Sequence, residues 1–214
     1  MFKNQTSKGS NELKKILIIG NGGRENSIAW ALSKNKSIEE IYVCPGNGGT
    51  ANFEKCICLK IQSEDKKTII LEAQRLQINL VIIGPEGPLA DGLANEMREA
   101  GLTVFGPSKD GAQLEASKDW AKELMLENNI PTAKYWSTNS RKEALDILHR
   151  FNKPLVIKAD GLAGGKGVTV CETIEQSKKA IQDVFSGKFG SAGNKVILEE
   201  KIEGPEVSIF AISD

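Results

Sequence analysis

The 214-residue chain is poor in the side chains that carry much enzyme chemistry. Its one histidine, His149, falls near the end of the helical stretch RKEALDILHR, where a solvated last-turn position suits it better than catalysis. With a single imidazole, Ser-His-Asp chemistry and histidine-rich metal sites recede. Cysteine is sparse too. Of Cys44, Cys56, Cys58 and Cys171 only Cys56 and Cys58 are close, and on a strand they share a face without the turn of a zinc knuckle. Small buried thiols in a reducing, cytoplasmic setting are the expectation. Neither charge sign is in excess, at 28 basic and 28 acidic residues, so nothing marks a nucleic-acid or anionic-membrane partner. No apolar run reaches the roughly 18 residues of a membrane span. The polar opening MFKNQTSKGSNELKK lacks the apolar core of a secretory signal, and residues 1–14 read as a flexible leader.

What is present is glycine, 21 residues of it, gathered at the ends of apolar runs. KILIIGN, IEEIYVC, ICLKI, NLVIIGP and LTVFGP read as strands alternating with helices in RENSIAWALSKN, KKTIILEAQRL and ANEMREAG. Such alternation predicts parallel βαβ units and a doubly wound α/β domain over residues 15–115. Its strands finish in GNGGRE, CPGNGGT, GPEGPLADG and FGPS. One such turn would be punctuation; four on one sheet edge point to a ligand at the strands' carboxyl ends.

The pattern then changes. QLEASKDWAKELMLENN predicts one long helix within a connection over residues 116–136, with Leu114, Trp120, Ala121, Leu124 and Met125 on its apolar face. Residues 137–214 read as a small α+β unit containing PLVIKAD, VTVCE, VILEEKI and the helices RKEALDILHRF and IEQSKKAIQDVF. The closing EVSIFAIS is predicted as an apolar strand that needs a neighbour, so the chain is expected to be incomplete or to require a partner.

Two glycine motifs suggest phosphate. GNGGRE begins like a dinucleotide fingerprint at Gly20 and Gly22, but Glu25 stands at its third glycine and no acid ends the second strand. It can still hold an anion at a helix begun at Arg24 or Glu25, and Arg24 adds a forked donor. KADGLAGGKG is not a P-loop, because Lys166 is followed by Gly167 and a strand. It reads as a strand–loop–strand hairpin, either a plain flexible connection or a flap over a triphosphate. Lys158, ending an apolar strand, requires an anion nearby. Glu199 and Glu200 close another strand and point oppositely, which disfavours paired-carboxylate hydrolysis and leaves a solvated edge open.

In order, IGNGGRE, PGNGGT, GPEGPLADG, FGPS, QLEASK, IPTA, VIKADGLAGGKGV and EEKIEGPEVSIF resemble the N-terminal half of the phosphoribosylamine–glycine ligases, within the ATP-grasp superfamily. The likeness runs from Lys15 to the end. It implies a pre-ATP-grasp domain followed by the lid and the start of the central ATP-grasp sheet. It also implies an activity in purine biosynthesis: glycine is phosphorylated by ATP to glycyl phosphate, and the amine of 5-phosphoribosylamine attacks it. Glycinamide ribonucleotide, ADP and phosphate result, without a protein nucleophile.

Carried over by residue, the resemblance gives Lys118 and the phosphate-stabilising Lys158 to the ATP phosphates. Asp160, Gly161, Leu162, Ala163, Gly164, Gly165, Lys166 and Gly167 form the flap. Glu199, Glu200, Lys201 and Ile202 form the adenine-side hinge, and Glu206 reaches the ribose. Phosphoribosylamine falls to Gly22, Gly23, Arg24 and Glu25, to Asn47, Gly48, Gly49 and Thr50, and to Glu86 and Pro88. Mg2+ or Mn2+ is implied, with ligands expected beyond Asp214, and the chain alone is expected to be inactive without a C-terminal half. Asn26 departs from the histidine usual in the family. Another ATP-grasp carboxylate–amine ligase and a non-catalytic nucleotide-binding module remain alternatives.

Overall fold

The computed structural model describes residues 14–209 and 211; the expected leader, Lys14 apart, lies outside them. The chain forms two compact units, Met1–Gln113 and Leu114–Asp214.

The first unit runs β1 (Lys15–Gly20), α1 (Gly23–Ser33), β2 (Glu40–Pro45), β3 (Cys56–Cys58), α2 (Lys66–Arg75), β4 (Leu80–Ile83), α3 (Glu86–Ala90), α4 (Leu93–Glu99) and β5 (Val104–Phe105). All strand pairs are parallel, in the order β3-β2-β1-β4-β5. Parallel sheets bury both faces, which is why β1 reads as an unbroken apolar run. Leu17 and Ile19 pack into one cluster with Ile69, Ala73, Leu93 and Met97, while Ile16 and Ile18 join Ala29, Ile41 and Val43 in another. The order reverses between β1 and β4, and a ligand crevice in such sheets opens at the carboxyl ends of the strands on either side of that switch. The GPEGPLADG segment, expected as a turn, contains the short helix α3, whose first residue is Glu86.

The second unit contains α6 (Lys118–Glu127), β6 (Tyr135–Thr138), α7 (Arg141–Phe151), β7 (Leu155–Ala159), β8 (Val168–Val170), α8 (Ile174–Val184) and β9 (Val196–Glu200), after α5 (Lys109–Ala116) has carried the chain out of the first. Its sheet is antiparallel, in the order β6-β9-β7-β8. Helices α7 and α8 cover one face, where Ala144, Ile147, Leu148, Ile181 and Val184 meet Leu155, Ile157 and Leu198. His149 sits in the last turn of α7, as expected.

The structure departs from two further expectations. The predicted long helix is broken at Ser117, whose backbone is extended (φ −134°, ψ 113°) and whose Oγ accepts from Trp120 N at 3.2 Å as an N-cap. The predicted last strand is absent over the described residues: 201–209 have no regular structure, and Ile202, Val207 and Ile209 are exposed. Among the described residues no strand lies beside this segment to satisfy its backbone donors and acceptors.

Candidate functional site

In the second unit, the sheet face away from α7 and α8 is partly bare. Val156 lies opposite Val170 on one side and Glu199 on the other, and Lys158 lies opposite Val168, so these side chains share that face. Val168 and Val170 are 45% and 56% exposed, which leaves an apolar platform next to a lysine. Lys158 Nζ is 2.6 Å from Glu199 Oε2, and Lys122 Nζ from α6 is 3.0 Å from Glu199 Oε1. Glu199 is buried, so the solvated edge left open for it is ruled out; the anion that Lys158 required is this carboxylate. Lys122 also donates to Thr132 Oγ1 at 2.6 Å and stands over the Tyr135 ring.

The glycine hairpin is tied at its root and free at its tip. Ala159 N donates to Gly167 O at 2.8 Å, and Asp160 N to Lys195 O at 3.1 Å. The Asp160 carboxylate accepts from the α6 N-terminus, from Lys118 N at 2.7 Å and Asp119 N at 3.3 Å, and from Ser117 Oγ. A helix N-terminus attracts an anion, and here the chain supplies its own. Lys118 Nζ donates to Gly161 O at 2.9 Å, and burial pulls its pKa below the ordinary lysine value against the opposing pull of Asp160. Gly161 has φ +112°, and a Cβ there would come 3.2 Å from that of Ala192. At the tip, Gly164 and Gly165 also have positive φ, with open space around them.

The structure therefore brings Lys118, Lys158, Asp160, Gly161 and Glu199 into one cluster. Leu162, Gly164, Gly165 and Lys166 lie exposed along the hairpin. Glu200 and Lys201 line a different cleft of about 300 Å3 with Phe151, Pro154 and Glu172, and Lys201 Nζ pairs with Glu172 at 2.7 Å. Ile202 and Glu206 are exposed on the segment without regular structure. The sequence reading missed the valine platform, Lys122, and the ion pair between Lys195 and Asp119. For Lys122 a signal existed: Lys118 and Lys122 are four apart on one helix face, and like charges so placed call for a counter-ion.

In the first unit the loops after β1, β2 and β4 are knitted together. Helix α1 starts at Gly23, ahead of the expected start at Arg24 or Glu25, with Gly22 as N-cap. Glu25 is buried and its Oε2 accepts from Gly22 N at 2.7 Å. Its carboxylate lies against Gly20 and Gly84, where a Cβ would overlap it. The residue that broke the dinucleotide fingerprint thus occupies the space those glycines leave. Arg24 Nη1 donates to Gly84 O, and its Nη2 is 4.0 Å from Glu86. Asn47 Nδ2 donates to Asn21 O at 2.8 Å, while its Oδ1 accepts from Gly49 N and Thr50 N. Buried Thr50 donates to Asn26 Oδ1 at 3.1 Å, so Asn26 joins α1 to this turn. Gly48 is exposed and Pro88 buried. The four cysteines are free, and burial pushes the Cys44 thiol up to about 12, which keeps it protonated and inert.

A doubly wound parallel unit, followed by a helix-backed antiparallel sheet with a glycine hairpin and paired lysines, defines the ATP-grasp class. Within it the sequence matches the family descriptions "Phosphoribosylglycinamide synthetase, N domain" over residues 14–115 and "Phosphoribosylglycinamide synthetase, ATP-grasp (A) domain" over residues 116–214. The chain belongs to the phosphoribosylglycinamide synthetase family. It is 48% identical over 200 residues to a phosphoribosylamine–glycine ligase of Nostoc sp., covering 94% of this chain and 47% of that protein. Among solved structures it is similar to phosphoribosylamine–glycine ligase from Thermotoga maritima, at TM-score 0.71 and 30% identity over 89% of this chain and 44% of that one. The biotin carboxylase domain of 2-oxoglutarate carboxylase from Hydrogenobacter thermophilus shares the fold at TM-score 0.68 and 21% identity, over 91% of this chain and 45% of that one. The chain spans about half the length of the curated relatives it matches. Among the described residues no helix is long and apolar enough to cross a membrane.

Proposed function

We propose that the second unit binds ATP, its base on the Val156–Val168–Val170 platform and its phosphates toward Lys158, Lys118 and the glycine hairpin. The observation that carries this reading is the uncovered valine face ending in Lys158 beside a hairpin with a free tip. A purine needs an apolar surface, and a triphosphate needs cations and close backbone. The hinge role for Glu199–Ile202 and the ribose role for Glu206 belong to the same reading. In the first unit, the loops carrying Gly22–Glu25, Asn47–Thr50, Glu86 and Pro88 would hold 5-phosphoribosylamine, with Arg24 as the forked donor to its phosphate.

The whole protein would then ligate glycine to 5-phosphoribosylamine through glycyl phosphate, forming glycinamide ribonucleotide, ADP and phosphate. That chemistry asks the protein for position and positive charge rather than for a nucleophile. Lys158 would neutralise charge on the transferring phosphoryl group, and the hairpin would exclude water. Among the described residues no group of three or more His, Cys, Asp or Glu is placed to hold a metal ion. Calorimetric titration of the folded chain with ATP, with and without phosphoribosylamine, tests the reading. Saturable one-site ATP binding is expected; a folded chain that ignores ATP at millimolar concentration would overturn it.

A further inference from the structure

We infer that Lys122, which is neither on the sheet nor on the hairpin, is a positioning residue that keeps the charge of Lys158 available to an anionic ligand. The inference rests on the nucleotide reading of this site. Three charges lie in a row: Lys122, Glu199 and Lys158, at 3.0 and 2.6 Å, with side chains 11%, 8% and 23% exposed. So little exposure leaves their mutual attraction weakly screened. Were Glu199 paired with Lys158 alone, the two would cancel and the platform would end in a neutral pair. Lys122 supplies the second positive charge, and the trio keeps a net charge of one.

The two lysines are not equivalent. Lys122 is held by the Thr132 hydroxyl and the Tyr135 ring at the β6–β9 side of the same sheet face, and is the less exposed of the two. Lys158 is the more exposed and stands one residue before the end of β7, the strand from which the glycine hairpin departs. The surplus charge is therefore presented where Lys158 stands. Glu199 Oε1 has no hydrogen-bond donor, so Lys122 acts on that buried oxygen through charge and not through an aligned bond. A buried carboxylate stripped of one of its cations would draw the other more tightly.

The test is the ratio of adenosine Kd to ATP Kd in the full chain, read beside thermal melting. Adenosine senses the platform; only ATP senses the phosphate end. Lys122→Met should lower the ratio about tenfold, the scale of one weakened charge-assisted bond. Lys122→Arg should hold it near the starting value. Glu199→Gln should raise it, and the double variant Lys122→Met with Glu199→Gln should return it to within about threefold of the original, because the net charge is again one. A purely structural Lys122 would weaken both ligands together and leave the ratio fixed, which would overturn the inference. If Lys122→Met fails to fold, Glu199→Gln and the double variant still decide: an unchanged ratio in the first, or a depressed one in the second, overturns it. A starting protein that binds adenosine and ATP equally, or neither, removes the nucleotide reading and this inference with it.

Discussion

Glu25 shows how a single side chain can be misread from its neighbours in sequence. Its position in GNGGRE marks it as a break in a nucleotide fingerprint, yet its carboxylate is buried, caps Gly22 and fills the space above Gly20 and Gly84. Gly84 lies 59 positions downstream, so no local pattern announces the fit. A methyl group on Gly84 would overlap Glu25 Oε1, and overpacking of this kind costs about 1–3 kcal/mol. Gly84→Ala should lose that much in urea denaturation, and pairing it with Glu25→Ala should recover most of the loss. Additive losses in the double variant would place the strain elsewhere. By contrast, Lys158 was legible: an ammonium on the apolar strand PLVIK requires an anion, and Glu199 supplies it. That a second lysine shares this carboxylate depends on α6 packing and could not be read from strand patterning.

At the scale of elements, strands and most helices followed from periodicity, because burial on both faces of β1 and on one face of α7 dictates apolar spacing directly. The long helix over residues 113–129 failed because a distant residue competes with its backbone. Asp160 accepts from Lys118 N and Asp119 N, and Ser117 turns out of helical conformation to cap α6. That contact fixes the root of the glycine hairpin on α6. Asp160→Ala should therefore free the root: limited proteolysis within residues 161–167 should accelerate several-fold, and the melting temperature should fall by a few degrees, in line with the loss of about 1–2 kcal/mol at a helix cap. Unchanged cleavage would show that the hairpin is held by something other than this carboxylate. Over its described residues, 206–209 and 211, the expected strand EVSIFAIS is absent for a different reason. Its apolar pattern is real, but a strand exists only where another chain segment completes its hydrogen bonds, and no described segment does so.

For the molecule as a whole, the change of rhythm after FGPS led to the expectation of an α/β domain over residues 15–115 and a small α+β unit over 137–214; the structure forms two compact units that divide after Gln113, the first with a parallel sheet and the second with an antiparallel one. The loops after β1 and β2 in the first unit and the hairpin of the second were visible as glycine-rich segments. What the sequence withheld was how their side chains are spent: Glu25 and Asn47 shape the loops, and Asp160 anchors a helix end. The valine platform was hidden because VTV looks the same whether it faces a core or a ligand. Central to the functional reading is that Lys158 and Lys118 receive the phosphates of a nucleotide whose base lies on that platform. A crystal structure of the protein with a non-hydrolysable ATP analogue tests this most directly. Phosphate oxygens should lie within about 3 Å of both Nζ atoms, charge-assisted hydrogen-bond distance, with the base over Val156, Val168 and Val170; a bound nucleotide remote from both lysines, with the platform bare, would contradict it.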